Sequence, residues 1–156
     1  MSDRLKGYLF VVTQFAVLAV IVVAPAGDLP WRGYVWTEFL GQLLVLGGLG
    51  IVAWSGIVLG TSLTAHPMPT SRSALRTTGP YRIARHPIYA GLLAFAIGAA
   101  LAGASWLHLV AALTLIGVLS AKARFEEAFL MDRYGDDYLA YGRTVGRFSP
   151  WFGLLR

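Results

Sequence analysis

The chain has 156 residues, of which 56% are hydrophobic and only 13% are charged. An ordinary soluble domain carries about 25% charged residues, so this composition excludes a disordered chain and argues against a water-soluble globular protein. The net charge of +5 would fit nucleic-acid binding, but the charges lie at the ends of apolar segments, which argues against that partner. The lack of cysteine excludes a disulfide framework, a thiolate metal site and a cysteine nucleophile.

Three long stretches contain no Asp, Glu, Lys or Arg: residues 7–27, 39–65 and 88–121. A bilayer core about 30 Å thick needs about 20 helical residues, so the first two stretches each predict one span. The third would be about 51 Å long as one helix, enough for two short spans, and Gly103 to Trp106 is the natural break. The predicted fold is all-α, a four-helix transmembrane bundle with no Rossmann fold. Its single domain, residues 1–156, is expected to have spans at about 7–26, 39–62, 87–103 and 105–122 and a cytoplasmic helical cap at 123–156.

The basic residues give this bundle an orientation. With four spans, every Lys and Arg except Arg32 falls on one side of the membrane. The positive-inside rule predicts that this side is cytoplasmic, and with it both termini. Ala24-Pro25-Ala26 resembles a signal-peptide cleavage site, but the preceding apolar core is longer than in a usual signal. We therefore expect the first segment to be retained as a span.

The spans themselves carry no Asp, Glu, Lys or Arg. Ion pumps and proton-coupled transporters usually place ionisable groups at mid-membrane, so the sequence argues against those classes. The glycines of the second span, at positions 41, 47, 48, 50, 56 and 60, predict a helix-packing face. Gly56 and Gly60 also form a small-xxx-small pattern, which fits close helix packing.

Polar residues concentrate in two blocks on the predicted cytoplasmic side, residues 64–91 and 122–151. In the first block, Pro87 suits the first turn of a helix, so His86 is expected at its N-cap, where free N–H groups favour an anion. In the second block, the fourth helix is predicted to continue to Gly135, after which Asp136 or Asp137 caps a short helix.

Each of these features also has a purely structural interpretation. His86 alone could be a packing residue, Glu126 and Glu127 a solvated helix face, and the arginines lipid-headgroup contacts. His66, His86 and His108 lack ligand spacing, so no metal site is predicted. The sequence contains neither a Gly-x-Gly-x-x-Gly motif nor a P-loop.

Taken together, the two blocks resemble the isoprenylcysteine carboxyl methyltransferase family. Residues 79–91 read GPYRIARHPIYAG, similar to that family's Arg-His-Pro-x-Tyr-x-Gly signature. The second block carries Glu126-Glu127, Tyr134-Gly135, Tyr138 to Tyr141 and Arg147-Phe148-Ser149-Pro150, similar to the family's C-terminal pattern. Phospholipid N-methyltransferases share the Pro-x-Tyr-x-Gly segment and the paired glutamates and are close relatives.

The resemblance implies an integral membrane methyltransferase that uses S-adenosylmethionine under a roof formed by the C-terminal segment. The cofactor-binding residues that it implies are Ser73, Ala74, Leu75, Arg76, Tyr81, His86, Pro87, Ile88, Tyr89, Gly91 and Glu126. Tyr81 or Tyr89 could lie against the sulfonium or the adenine. Gly91 would let a ligand or a neighbouring helix approach the backbone.

The acceptor is expected to be lipophilic and to enter between the spans from the surrounding lipid. The family places an arginine one helical turn before the glutamate to hold it; here that position is Lys122, with Arg124 as the other basic candidate. A carboxylate acceptor of the isoprenylcysteine type needs no general base, whereas an amine or hydroxyl acceptor would need one, for which Glu127 is the first candidate. Phospholipid or amine N-methylation, an NADPH-dependent sterol-type reductase and a non-catalytic lipid-binding protein are the alternatives, and the oligomeric state stays open.

Overall fold

A computed structural model describes residues 2–60 and 75–149 of the chain. The first helix, α1, runs over Asp3–Val23; the Ser2 side chain accepts a hydrogen bond from the backbone N–H of Leu5, as an N-cap should. The second helix, α2, covers Val35–Leu59 and ends where Gly60 takes a positive φ of 55°. Both helices begin four residues before the predicted spans.

The predicted break within the third apolar stretch is confirmed. Helix α3 covers Pro87–Gly103, with His86 at its N-cap and proline at its first position as expected. Ala104 then adopts a left-handed conformation, and the Ser105 hydroxyl accepts from the N–H of Leu107 to begin the next helix. The stretch therefore forms two antiparallel helices rather than one long one.

Helix α4 covers Trp106–Tyr134 and carries the chain from the far end of the bundle to the second polar block. It ends at Gly135, where φ is 50°, as the sequence predicts. Helix α5 follows at Asp136–Thr144, but its N-cap is Gly135 rather than Asp136 or Asp137. Both carboxylates lie in the first turn, where the helix dipole favours negative charge without a capping hydrogen bond.

The fold class predicted from the sequence is confirmed. Within residues 2–60 and 75–149 there are helices and one isolated parallel bridge, but no strand. Three helices in this part of the chain are long and apolar enough to cross a membrane, namely α1, α2 and α4, while α3 is an apolar helix of 17 residues. Helix α3 packs against α2 on one side and α4 on the other, and α1 packs chiefly on α4.

Glycines on both helices form the contact between α2 and α3. A Cβ added to Gly48 would lie 2.5 Å from the carbonyl oxygen of Gly91, and one added to Gly98 would lie 2.6 Å from that of Gly41. The two helices thus meet through glycines seven residues apart on each. Gly47, Gly50 and Gly60, in contrast, face open space in the described part of the chain. The predicted packing face of α2 is therefore confirmed at Gly41 and Gly48 and not at these three. A spacing of seven residues is close to two helical turns, so both glycines of each helix lie on the face that contacts the other helix.

Candidate active site

The C-terminal segment after α5 pairs with the loop that precedes α3. The N–H of Arg85 donates to the carbonyl of Gly146 at 2.8 Å, and the N–H of His86 donates to the carbonyl of Arg147 at 3.0 Å. These contacts accompany the parallel bridge between Ala84 and Gly146. The two polar blocks, far apart in the sequence, therefore meet at one end of the bundle.

A hydroxyl contact supports the same junction. The Tyr141 hydroxyl donates to the carbonyl of Tyr81 at 2.5 Å, so α5 is held directly on the short 3₁₀ helix Gly79–Arg82.

Tyr81 is itself buried, and burial, together with the charge of Glu126, raises its pKa to about 12. Its phenol therefore stays neutral and cannot act as a base at neutral pH.

Glu127 lies at the centre of a buried ion cluster. Arg85 donates from Nε (3.2 Å) and Nη2 (2.9 Å) to Glu127 Oε1. Arg147 donates from Nε to both carboxylate oxygens at 3.1 Å and from Nη2 to Oε2 at 2.5 Å. Arg85 also donates from Nη1 to the carbonyls of Gly142 and Val145. One carboxylate thus joins α4, the loop before α3 and the C-terminal segment through charge-assisted hydrogen bonds.

Its neighbour, Glu126, has different partners. The Tyr89 hydroxyl donates to Glu126 Oε1 at 2.5 Å, and His86 Nδ1 lies 3.5 Å from Glu126 Oε2. The imidazole of His86 stacks on the Tyr89 ring, with centroids 5.3 Å apart and planes 5° from parallel. The Glu126 side chain keeps 16% of its surface exposed, against 7% for Glu127. Glu126 is therefore the carboxylate of the pair that is more accessible to a ligand.

His86 lies between the two carboxylates. Its Nε2 is 3.4 Å from Glu127 Oε1, close enough for electrostatic attraction although the geometry is not that of a hydrogen bond. Burial acts to lower the pKa of His86, but the contacts with Glu126 and Glu127 outweigh burial and place it above its ordinary value of 6.5. The folded state thus favours the imidazolium over the neutral ring.

This raised pKa predicts a pH-dependent stability. The contribution of His86 is fully present below pH 6.5, its value in the unfolded chain, and is lost as the pH rises through the higher value of the folded state. We expect the midpoint of thermal unfolding in detergent, measured from about pH 6 to about pH 9, to fall more steeply for the unmodified chain than for His86→Gln. Parallel curves for the two proteins would contradict the assignment.

Lys122 is buried one helical turn before Glu126. Its side chain is among the largest that are fully buried, with 2% of the residue exposed. The ammonium donates to Oε1 of Gln14 on α1 at 2.8 Å and lies 5.2 Å from the centroid of the Tyr89 ring. Lys122 therefore joins α1, α3 and α4 beside Glu126.

The structure brings together only part of the site predicted from the sequence. His86, Tyr89, Lys122, Glu126 and Glu127 form one cluster, with Pro87 buried in the first turn of α3 and Tyr81 close by. Ile88 and Leu75 are half-buried, and Arg76 and Arg124 are exposed. The exposure of Arg124 follows from its face of α4, which differs from that of Lys122 and Glu126. Ser73 and Ala74 lie outside the described residues.

Gly91 packs against a helix in the structure. A Cβ at Gly91 would lie 2.7 Å from the carbonyl oxygen of Gly48 and 2.9 Å from Val52 Cγ2, both on α2. Of the two partners expected for this glycine, the neighbouring helix is the one observed.

Sequence reasoning missed Gln14 and the structural role of the arginine pair. Gln14 is a polar residue in the middle of an apolar span, a signal that could have marked it as buried and partnered. Arg85 and Arg147 both stood within recognised motifs, but nothing in their spacing indicates that they share one carboxylate.

These observations define a helical integral membrane protein. Its polar, charge-rich site lies at one end of the helix bundle, the end at which the basic segment before α3 also lies. A family model described as Phospholipid methyltransferase matches residues 36–137. The match spans most of the chain and includes α3, α4 and both glutamates. The chain belongs to the phospholipid methyltransferase family, and the resemblance seen in the two motif blocks is confirmed.

Two named relatives and one solved structure are similar to this chain. A probable protein-S-isoprenylcysteine O-methyltransferase of Oryza sativa subsp. indica is 31% identical over 124 residues, covering 77% of this chain and 64% of the relative. Protein-S-isoprenylcysteine O-methyltransferase A of Arabidopsis thaliana is 28% identical over 138 residues, covering 86% and 68%. The chain thus spans about two thirds of the length of these relatives.

The solved structure is that of a eukaryotic intramembrane Ras methyltransferase, isoprenylcysteine carboxyl methyltransferase. It superimposes with a TM-score of 0.71 at 18% sequence identity, covering all of this chain and 56% of that one. At this identity the match establishes a shared fold.

Proposed function

We propose that the chain is an integral membrane methyltransferase that moves a methyl group from S-adenosylmethionine to a lipophilic acceptor bearing a carboxylate, of the isoprenylcysteine type. The observation that carries the proposal is the contact between Tyr89 of the first polar block and Glu126 of the second, at 2.5 Å. Two motifs separated by a helical hairpin meet at one small cluster, which is what a shared ligand requires. The named activity of the plant relatives supports the same class of reaction.

The donor set fits the proposed cofactor. S-adenosylmethionine combines hydroxyls and an ammonium group, which need acceptors, with a carboxylate, which needs donors. Glu126 supplies a partly exposed acceptor, and the first turn of α3 with the imidazolium of His86 supplies donors and positive charge. When bound, the cofactor would supply an activated methyl group on a positively charged sulfur, and the acceptor oxygen would take this methyl group with S-adenosylhomocysteine as the leaving group.

The remaining residues have roles that follow from their contacts. Lys122 is placed to orient an anionic acceptor beside Tyr89, and a carboxylate acceptor needs no proton removed. We assign Glu127 to holding the site together rather than to accepting a proton, because five donor contacts from Arg85 and Arg147 occupy its two oxygens. Arg124, exposed on another face of α4, is assigned no contact with the acceptor.

We also propose that this end of the bundle faces the cytoplasm. Arg4 and Lys6 lie at the start of α1, and Arg82 and Arg85 precede α3 at the same end of the molecule as Lys122. Arg32 lies at the opposite end, in the connection between α1 and α2. The positive-inside rule places the basic end, and so the opening for the soluble cofactor, in the cytoplasm.

The second candidate is N-methylation of a phospholipid amine. It is favoured by the family model, whose description names phospholipid substrates. Such an acceptor would have to lose a proton from nitrogen. The sequence offers Glu127 as the base for that step, and in the described residues Glu127 is held by Arg85 and Arg147. We therefore rank it below the carboxylate acceptor.

Cofactor binding provides the direct test. In detergent, isothermal titration should show binding of S-adenosylhomocysteine, and Glu126→Gln should weaken it by at least about tenfold, because an amide removes the charge while keeping the shape. Glu38→Gln, at the far end of α2, is the matched control and should bind like the unmodified chain. Equal affinity in Glu126→Gln and Glu38→Gln would overturn the assignment of the site.

A further inference from the structure

A polar pair is buried where α1 packs on α4. Gln14, midway along α1, has 6% of its surface exposed, and Lys122 has 2%. The ammonium of Lys122 donates to Gln14 Oε1 at 2.8 Å. From Val11 to Val23, α1 is otherwise apolar apart from the exposed Thr13, and a ring contact between the two helices joins Phe10 and Phe125 at 5.7 Å.

An amide at this depth needs a reason. Burying a polar side chain in a membrane span is unfavourable unless it is hydrogen-bonded, and packing alone would be served equally well by methionine or leucine. The ammonium can only donate, so the amide oxygen must face it, and the amide N–H groups therefore point away from Lys122. The Lys122 ammonium, held by the amide oxygen of Gln14, lies 5.2 Å from the centroid of the Tyr89 ring.

We propose that Gln14 is a positioning residue that sets acceptor specificity by holding the Lys122 ammonium over Tyr89 without adding negative charge. This inference rests on the proposed methyltransferase function and adds to it a residue of α1. A glutamate at the same position would also bind Lys122, but as an ion pair, and would repel an anionic acceptor. A neutral amide keeps the positive charge directed to an acceptor oxygen.

The geometry explains why the position matters for the reaction. Lys122 lies one turn from Glu126 on α4, and Tyr89 contacts both, through its ring and its hydroxyl respectively. A shift of the ammonium would therefore move the acceptor relative to the cofactor subsite, even though Gln14 itself lies on another helix. A carboxylate acceptor is already deprotonated, so the pair has only to orient it, whereas a cationic amine would be repelled.

The test compares Gln14→Glu and Gln14→Met with the unmodified chain in detergent. Gln14→Met removes the hydrogen bond at similar volume, and Gln14→Glu keeps a hydrogen bond but adds a charge. Thr13→Met, at the adjacent exposed position of α1, is the matched control. Two quantities are measured: the dissociation constant of S-adenosylhomocysteine, and that of S-farnesyl-N-acetylcysteine, a lipophilic carboxylate, with S-adenosylhomocysteine present.

We expect Gln14→Glu to weaken binding of the farnesylated probe by at least about tenfold and Gln14→Met by a smaller factor, with Thr13→Met unchanged. All variants should bind S-adenosylhomocysteine within about twofold of the unmodified chain, since that subsite is on α3 and α4. Unchanged probe affinity in Gln14→Glu, or no probe binding to the unmodified chain, overturns the role of Gln14 while intact S-adenosylhomocysteine binding leaves the proposed function standing. Loss of S-adenosylhomocysteine binding in Gln14→Met as well as in Gln14→Glu would show a structural role instead.

Discussion

Replacing Glu127 by alanine is expected to lower the free energy of unfolding by roughly 3–5 kcal/mol, the cost of removing one partner from a buried ion pair. The Arg85 side chain is 1% exposed, so without Glu127 its charge would remain buried. Among the described residues, the carbonyls of Gly142 and Val145 would then be its remaining acceptors. The same change releases Arg147 and, with it, the segment that pairs with the loop before α3.

The measurement is thermal or denaturant unfolding in detergent, with Glu126→Ala as the matched variant one position away. Glu126 contacts Tyr89 and His86 but neither arginine, so its loss should be distinctly less destabilising while removing cofactor binding. Comparable destabilisation in the two variants would contradict this division between a structural and a ligand-binding glutamate.

Replacing Gly48 by alanine should be severely destabilising although it adds a single methyl group. That methyl would lie 2.5 Å from the carbonyl oxygen of Gly91 and 2.7 Å from the backbone nitrogen of Phe95. Neither atom can rotate away, so α2 and α3 would have to separate along their contact. We expect a loss of about 3 kcal/mol or more, at the upper end of what overpacking costs.

Two glycines of the same helix serve as controls. Gly47 and Gly50 have no atom within 4 Å of an added Cβ. Alanine at either position should be neutral or stabilising by up to about 1 kcal/mol, because it lowers the conformational freedom of the unfolded chain. We therefore expect Gly47→Ala and Gly50→Ala to unfold at or above the temperature of the unmodified chain, and Gly48→Ala far below it. Similar unfolding temperatures for all three variants would refute the close contact between α2 and α3.

Local signals were sufficient to predict where α3 and α4 begin and end. Pro87 with His86, the Gly103-to-Trp106 break and Gly135 each act within one turn of backbone, so their effect is visible without knowledge of the neighbours. The two motif blocks likewise indicated the fold and the family. The predicted aspartate cap of α5 was wrong because the glycine that ends α4 also begins α5, leaving no residue between them.

Features that depend on how helices cross were not accessible from the sequence. Gly48 and Gly60 look alike in a glycine-rich span, yet only Gly48 meets α3. Glu126 and Glu127 are adjacent and chemically identical, and only the direction of each around α4 decides which one faces Tyr89 and which one faces Arg85. Gln14 stood apart from both motifs, and its link to Lys122 depends on the packing of α1 against α4.

Helix α4 carries Lys122 and both glutamates as one uninterrupted rod of 29 residues, about 43 Å long at 1.5 Å per residue. No hinge separates its apolar length from the part that bears the charged groups. A rod of this kind adjusts to a thinner or thicker hydrocarbon layer by tilting as a whole, so acyl-chain length acts on the position of Glu126 relative to Tyr89. The lipid around the protein is thereby mechanically coupled to its chemistry.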